Sequence, residues 1–191
     1  MTDSPIDCLR TTLLEDIRRD PRGKGVARLL GEYAGREGDW RTWALFDPER
    51  YTRNLVHRCA DYELLLLGWG EGQESPIHDH AGQQCWMAVL DGDVEEVHFR
   101  QGDEGEPLKR GAVRRFARGQ VAYIEDEIAL HLVRPARGRA VSLHLYSNPI
   151  DTCRIYDPVT GAASRLDVGY HSVRGRTCGD RSPEAVRAEF A

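Results

Sequence analysis

Apolar positions in the first fifty residues recur at helical spacing, and after them the chain changes to short β-rich runs. Behind Ser4-Pro5, a capping residue followed by proline, Ile6, Leu9, Leu13, Leu14 and Ile17 fall at spacings of three, four and one, the stripe of an amphipathic helix. Val26, Leu29, Leu30 and Tyr33 repeat the stripe before Gly35, and residues 40–46 are a candidate third helix. Past Asp47-Pro48, runs at 63–69, 85–90, 94–99, 112–116, 120–125, 129–133, 140–146 and 152–156 alternate with Gly, Asp and Pro. Many short strands at regular spacing predict an antiparallel barrel or sandwich. Asp91-Gly92 between two such runs predicts a tight hairpin, because this pair accepts the positive φ of a primed turn. From Tyr170 onward the pattern is weakest, and residues 183–190 are either a last helical turn or a frayed end.

A chain of 191 residues and 21.6 kDa suits one domain, and one of that size folds on its own core, so a bound metal would be there for function. With 26 basic against 31 acidic residues and a net charge of -5, the chain lacks the basic face that nucleic-acid binding demands. Its longest apolar run, Leu64 to Leu67, falls far short of the about 20 residues needed to span a bilayer. The first residues include acidic side chains where a signal peptide would be basic, so secretion and membrane attachment are not expected. The five cysteines are odd in number, scattered and without a C-x-x-C pair, which fits a cytoplasmic location better than a disulfide framework.

Candidate chemistry centres on Gly72-Gln-Glu-Ser-Pro-Ile-His78-Asp-His80 and the Cys85 that follows. In extended chain, residues i and i+2 point to one face, so His78 and His80 can offer two imidazoles to one metal, whereas Asp79 points away. H-x-H alone is a weak signal. Here it follows Gly72 by six residues, precedes a strand starting at Cys85 and is closed by Gly92, an arrangement that resembles the first motif of the cupin superfamily. That superfamily places a Glu where this chain has Cys85, and a second motif supplies a further His, for which His131 fits. A Cys in the Glu position with three His and no carboxylate resembles the thiol dioxygenases. Within them Tyr51-Thr-Arg53-Asn-Leu-Val, Gly-Trp69-Gly-Glu-Gly, Ala122-Tyr-Ile-Glu-Asp, Val141-Ser142-Leu-His144-Leu-Tyr146-Ser147 and Asp151-Thr-Cys153 resemble the cysteine dioxygenase family, in the form with a crosslinking cysteine.

The resemblance implies a mainly β fold, a cupin antiparallel β-barrel of jelly-roll type with short N-terminal helices. It divides the single domain, 1–191, into a helical segment over 1–50 packed on a barrel over 51–172 and a tail over 173–191. It also implies an Fe(II)-dependent enzyme that oxidises L-cysteine with O2 to cysteine sulfinic acid, a monomer with non-haem iron on His78, His80 and His131. Arg53, whose planar fork matches a carboxylate, would bind the substrate together with Tyr51, Tyr146 and Cys153. Ser142, His144 and Tyr146 share one strand face and would hydrogen-bond in series, with Leu143 and Leu145 on the other. Cys85 and Tyr146 resemble the pair that forms a thioether crosslink, and Trp69 would help wall the cavity. His57, His98 and His171, which lack a partner at ligand spacing, read as structural or surface residues. A dioxygenase for 3-mercaptopropionate or another thiol, and a non-catalytic metal- or ligand-binding cupin, are the alternatives.

Overall fold

The structure, a computed structural model, describes residues 4–36, 38–103 and 105–190. Helix α1 (Pro5–Arg19) begins where the Ser4 side chain accepts a hydrogen bond from the Asp7 backbone N–H, and it buries Ile6, Leu9 and Leu13. Helix α2 (Val26–Ala34) buries Val26, Leu29, Leu30 and Tyr33. The expected third helix is only a 3-10 turn at Asp39–Thr42. There the Asp39 carboxylate accepts from the Ile6 N–H and the Tyr33 O–H, so it ties the turn to both helices instead of starting another.

Among the described residues twelve strands follow: β1 (Thr52–Arg58), β2 (Glu63–Trp69), β3 (Cys85–Asp91), β4 (Asp93–Arg100), β5 (Lys109–Ala117), β6 (Val121–Ile124), β7 (Leu130–Pro135), β8 (Ala140–Tyr146), β9 (Thr152–Tyr156), β10 (Ala163–Asp167), β11 (Ser172–Val173) and β12 (Arg176–Thr177). They form a seven-stranded sheet in the order β12-β11-β1-β2-β8-β3-β6, a three-stranded sheet β5-β4-β7 and a pair β10-β9. The chain is thus mainly β with short N-terminal helices, as expected, although the ladders stay in three sheets rather than closing into one barrel. His78 joins the two smaller sheets by bridging to both His131 and Ile155.

Both faces of the large sheet are covered, which is why β2 and β8 are buried at every residue. Leu64, Leu66, Trp86, Ala88, Leu143 and Leu145 pack against α1 and α2. Their alternates Leu65, Leu67, Cys85, Met87, Val89 and Tyr146 face the other way, into a core shared with Val94, Val133 and Cys153 of the smaller sheets. Each fully buried Leu contributes about 1.5–3 kcal/mol.

The hairpin expected at Asp91-Gly92 does not form: β3 and β4 lie in different sheets. Gly92, with φ +67, carries the chain across, and a Cβ there would meet the Arg139 carbonyl at 2.5 Å. The C-terminal stretch has a defined path, with β11 running parallel to β1 and a short helix α3 (Pro183–Arg187) beyond it.

Candidate metal centre and substrate pocket

His78 and His131 are locked to each other by reciprocal backbone hydrogen bonds of 3.0 and 3.1 Å. His80 is fixed by its own N–H, which donates to Asp126 Oδ1 at 2.7 Å. These anchors bring three imidazoles together, each offering one nitrogen, all within 4.8 Å of one another. His80 Nε2 and His131 Nε2 are 3.0 Å apart. Two nitrogens bonded to one ion at about 2.1 Å and at right angles to each other would be separated by about 3 Å.

The outer ring nitrogens decide what faces inward. His78 Nδ1 lies 2.9 Å from the Pro76 carbonyl and His131 Nδ1 lies 2.8 Å from Glu96 Oε1. Both acceptors hold the ring proton on Nδ1, which leaves Nε2 as a bare lone pair. His80 Nδ1 lies 3.4 Å from Asp126 Oδ1. Burial keeps two of the rings neutral: it lowers the His78 pKa to about 4, with the neighbouring His80 adding to the effect, and sends that of His131 well below its ordinary value. A cation between two Nε2 atoms 3.0 Å apart would take a lone pair from each, and neutral imidazoles suit a divalent transition ion.

Asp79 turns away, as expected, and its carboxylate accepts from the Arg154 backbone N–H, Arg154 Nε and the Tyr156 O–H. It ties the H-x-H segment to β9.

On β8, Ser142, His144 and Tyr146 share the inner face. Trp69 Nε1 donates to Ser142 Oγ at 2.9 Å, and Ser142 Oγ is 2.8 Å from His144 Nε2. The series then leads to Cys85, whose Sγ is 3.9 Å from His144 Nδ1, while the His144 and Tyr146 rings stack with centroids 6.3 Å apart. Cys85 and Tyr146 are directly opposed residues of β3 and β8, a placement that puts two side chains on one face in contact range. Burial and the nearby Glu96 push the Cys85 thiol up, and burial with Cys85 beside it keeps Tyr146 a neutral phenol.

Arg53 lies on β1, its side chain only 13% exposed. Its Nε donates to the Gly169 carbonyl at 3.2 Å, but Nη2 is buried with no hydrogen-bond partner among the described residues. An unpaired buried guanidinium nitrogen is costly and is satisfied by an incoming anion. Arg53 lines a cavity of about 390 Å3 together with Tyr51, Pro76 and residues of the 166–171 segment. Tyr51 stacks on Trp69 with centroids 4.8 Å apart. Arg53 also acts electrostatically on Tyr51, Tyr146, His78, His144 and Cys153, so the expected substrate-side residues converge with the metal cluster.

Glu96, Asp126 and Glu63 hold this assembly, yet no spacing along the chain singles them out. His98 is part of it too: it is buried, with Nε2 3.0 Å from Glu96 Oε2, so it stands behind the His131 partner rather than at the surface. Its place on β4 opposite His131 depends on a non-sequential strand pairing that no local pattern announces.

Comparison with known proteins gives the same direction. The family described as Cysteine dioxygenase type I matches residues 7–159, a span that includes all the expected site residues from Tyr51 to Cys153. Cysteine dioxygenase type 1 of Rattus norvegicus is 39% identical over 155 residues, covering 78% of this chain and 77% of its own. The Homo sapiens protein of the same name is 37% identical over 165 residues, covering 84% and 80%. Among solved structures, an RmlC-like cupin protein from Desulfovibrio desulfuricans aligns with 28% identity and a TM-score of 0.45, over 56% of this chain and 90% of that one.

Proposed function

The chain belongs to the cysteine dioxygenase type I family, and on that premise we propose that His78, His80 and His131 hold one ferrous ion at which L-cysteine and O2 react to give cysteine sulfinic acid. It is an enzyme that oxidises cysteine. The observation that carries the iron site is the convergence of three imidazoles, two of them with the outer nitrogen already engaged by Pro76 and Glu96. When bound, ferrous iron supplies the redox chemistry that lets O2 react with a thiolate. Both oxygen atoms end on sulfur, which provides all the electrons that O2 takes up, so no outside reductant is needed.

The chain's own residues orient and select. Neutral imidazoles add no negative charge to the centre, which favours an anionic thiolate over a neutral thiol. Arg53 Nη2 takes the substrate carboxylate, and Tyr51 and Cys153 shape the wall beside it. Tyr146 keeps its phenolic proton and donates toward the substrate. Trp69, Ser142 and His144 fix the polar face from which Tyr146 and Cys85 project.

Cys85 Sγ and the Tyr146 ring join in a thioether, each losing one hydrogen to the co-substrate O2, which is reduced to hydrogen peroxide. Cys59, Cys85, Cys153 and Cys178 remain outside any disulfide, which supports a cytoplasmic enzyme with free cysteine at hand. Among the described residues no helix is long and apolar enough to cross a membrane. Among the described residues the exposed large hydrophobics are Val113 and Val159, too few for an extended apolar face, in keeping with a monomer. Helices and large sheet share one core, in keeping with a single domain.

Oxygen uptake by the iron-loaded protein with L-cysteine, with sulfinate identified by mass, tests the reading. Uptake with a sulfinate product is expected, and intact mass after turnover should be two hydrogens below the encoded value. No uptake at full iron occupancy would overturn it.

A further inference from the structure

Glu63 opens β2 fully buried, opposite Arg58 on β1 and Tyr146 on β8. A buried carboxylate next to two guanidiniums would ordinarily close on both. Here Oε1 accepts from Arg58 Nη1 at 2.9 Å and from the Tyr170 O–H, while Arg58 Nη1 also donates to the Tyr170 oxygen at 3.0 Å. Arg58 is held from its other side by Asp151, whose Oδ1 is 2.7 Å from Nη2. Oε2 stops 3.7 Å from Arg53 Nη2, too far for a hydrogen bond, and neither atom has another hydrogen-bond partner among the described residues.

We propose that Tyr170 is a positioning residue for substrate recognition: with Arg58 it occupies Glu63 Oε1, holds the carboxylate off Arg53 and keeps Arg53 Nη2 open to the carboxylate of the substrate. This rests on the reading that Arg53 binds that carboxylate. The gap is a compromise. Glu63 is near enough to offset the buried Arg53 charge, and tethered enough not to form the bidentate pair that would fill the guanidinium fork. The tether comes from the C-terminal segment: Gly169 accepts from Arg53 Nε, and the His171 N–H donates to the Arg53 carbonyl at 2.8 Å. Tyr170 lies beyond residues 7–159, the span that the family match covers.

Tyr170→Phe keeps the ring and removes the hydroxyl. Freed on one side, Glu63 should close on Arg53, and calorimetry on the iron-loaded protein without oxygen should show L-cysteine binding about tenfold weaker, equivalent to ~1.4 kcal/mol. Binding of 2-aminoethanethiol, which lacks the carboxylate, should be unchanged, and the turnover loss should appear in KM rather than kcat. In a Glu63→Gln background, where the competing charge is gone, Tyr170→Phe should have no effect on L-cysteine. Wild-type L-cysteine affinity in Tyr170→Phe, equal losses for both thiols, or an effect that persists beside Gln at 63 would each overturn the proposal. If the double variant does not fold, the comparison of the two thiols still decides. Arg53→Ala is the control for the underlying reading: if it leaves the preference for L-cysteine over 2-aminoethanethiol intact, Arg53 is not the carboxylate site, a result distinct from failure at Tyr170.

Discussion

At the metal cluster, three imidazoles converge with their outer nitrogens turned to a carbonyl or a carboxylate a few ångströms away. On the carboxylate side, Arg53 is charged, buried and left short of partners by a carboxylate held 3.7 Å away. The first arrangement creates lone pairs that need a cation, and the second creates a donor that needs an anion. On the proposed reading, with an ion on the first and a carboxylate on the second, together they suit a ligand with a soft anionic end and a carboxylate. They also predict that the two sides fail differently when broken.

The largest effect should separate them. His131→Ala removes one of three converging nitrogens and takes from Glu96 Oε1 the ring that it holds. Iron content should fall to background and cysteine oxidation with it. Arg53→Ala should leave iron content unchanged and reduce kcat/KM for L-cysteine by ~10²–10³-fold, the scale of losing one partner of a buried charge pair. Iron assay beside oxygen uptake reads both. If Arg53→Ala also lost its iron, the two sides would not be independent.

The same contrast explains what was legible along the chain. His78 and His80 lie two residues apart, and Ser142, His144 and Tyr146 alternate with Leu143 and Leu145, so local periodicity places them on common faces. Strand β2 was plain because both of its faces are buried and its run is apolar. Strand β1 escaped because its inward positions include Thr52 and Asn54, satisfied by carbonyls and by Ser172 rather than by apolar packing. Strands β11 and β12 are two residues each, too short for any pattern to register. The carboxylate side joins residues 53, 58, 63, 151 and 170, which meet only through strand pairing and the return of the C-terminal segment. A charged residue in a strand looks the same whether it faces water or a buried guanidinium. The Asp91-Gly92 turn misled for a related reason, since its backbone geometry serves a sheet-to-sheet crossing as well as a hairpin.

A smaller effect tests whether the metal side depends on what stands behind it. Glu96→Ala removes the acceptor on His131 Nδ1 and frees the ring to change tautomer or turn. Metal affinity should drop about 10–100-fold, as is usual when such a partner of a ligating histidine is lost. Competition against a chelator measures it, and L-cysteine affinity at full metal loading should change far less. Unchanged metal affinity would mean that the backbone lock between His78 and His131 alone sets the ring.

The smallest effect is a slope with pH, and it should belong to the imidazoles. Burial lowers the pKa of His78 to about 4 and of His144 to about 3, and burial with Arg10 and Arg174 lowers His57 to about 4. In the unfolded chain these groups titrate near 6.5. Between about pH 6.5 and 4 the unfolded chain therefore binds protons that the folded chain refuses, so stability should decline as pH falls through that window and level off for His57 and His78 below it. Arg53 and Arg58 stay charged throughout and add nothing to the slope. Protons compete with iron for the folded protein only where its histidines titrate, so the stabilisation by iron should hold from pH 7 to about 4.5 and shrink below about pH 4, where His78 takes up a proton. Thermal unfolding of iron-loaded and iron-free protein should show two midpoints that fall in parallel from pH 7 to 4.5 and draw together below about pH 4. Midpoints that stay equally far apart below that pH would place the ion on groups other than imidazoles and remove the contrast between the two sides.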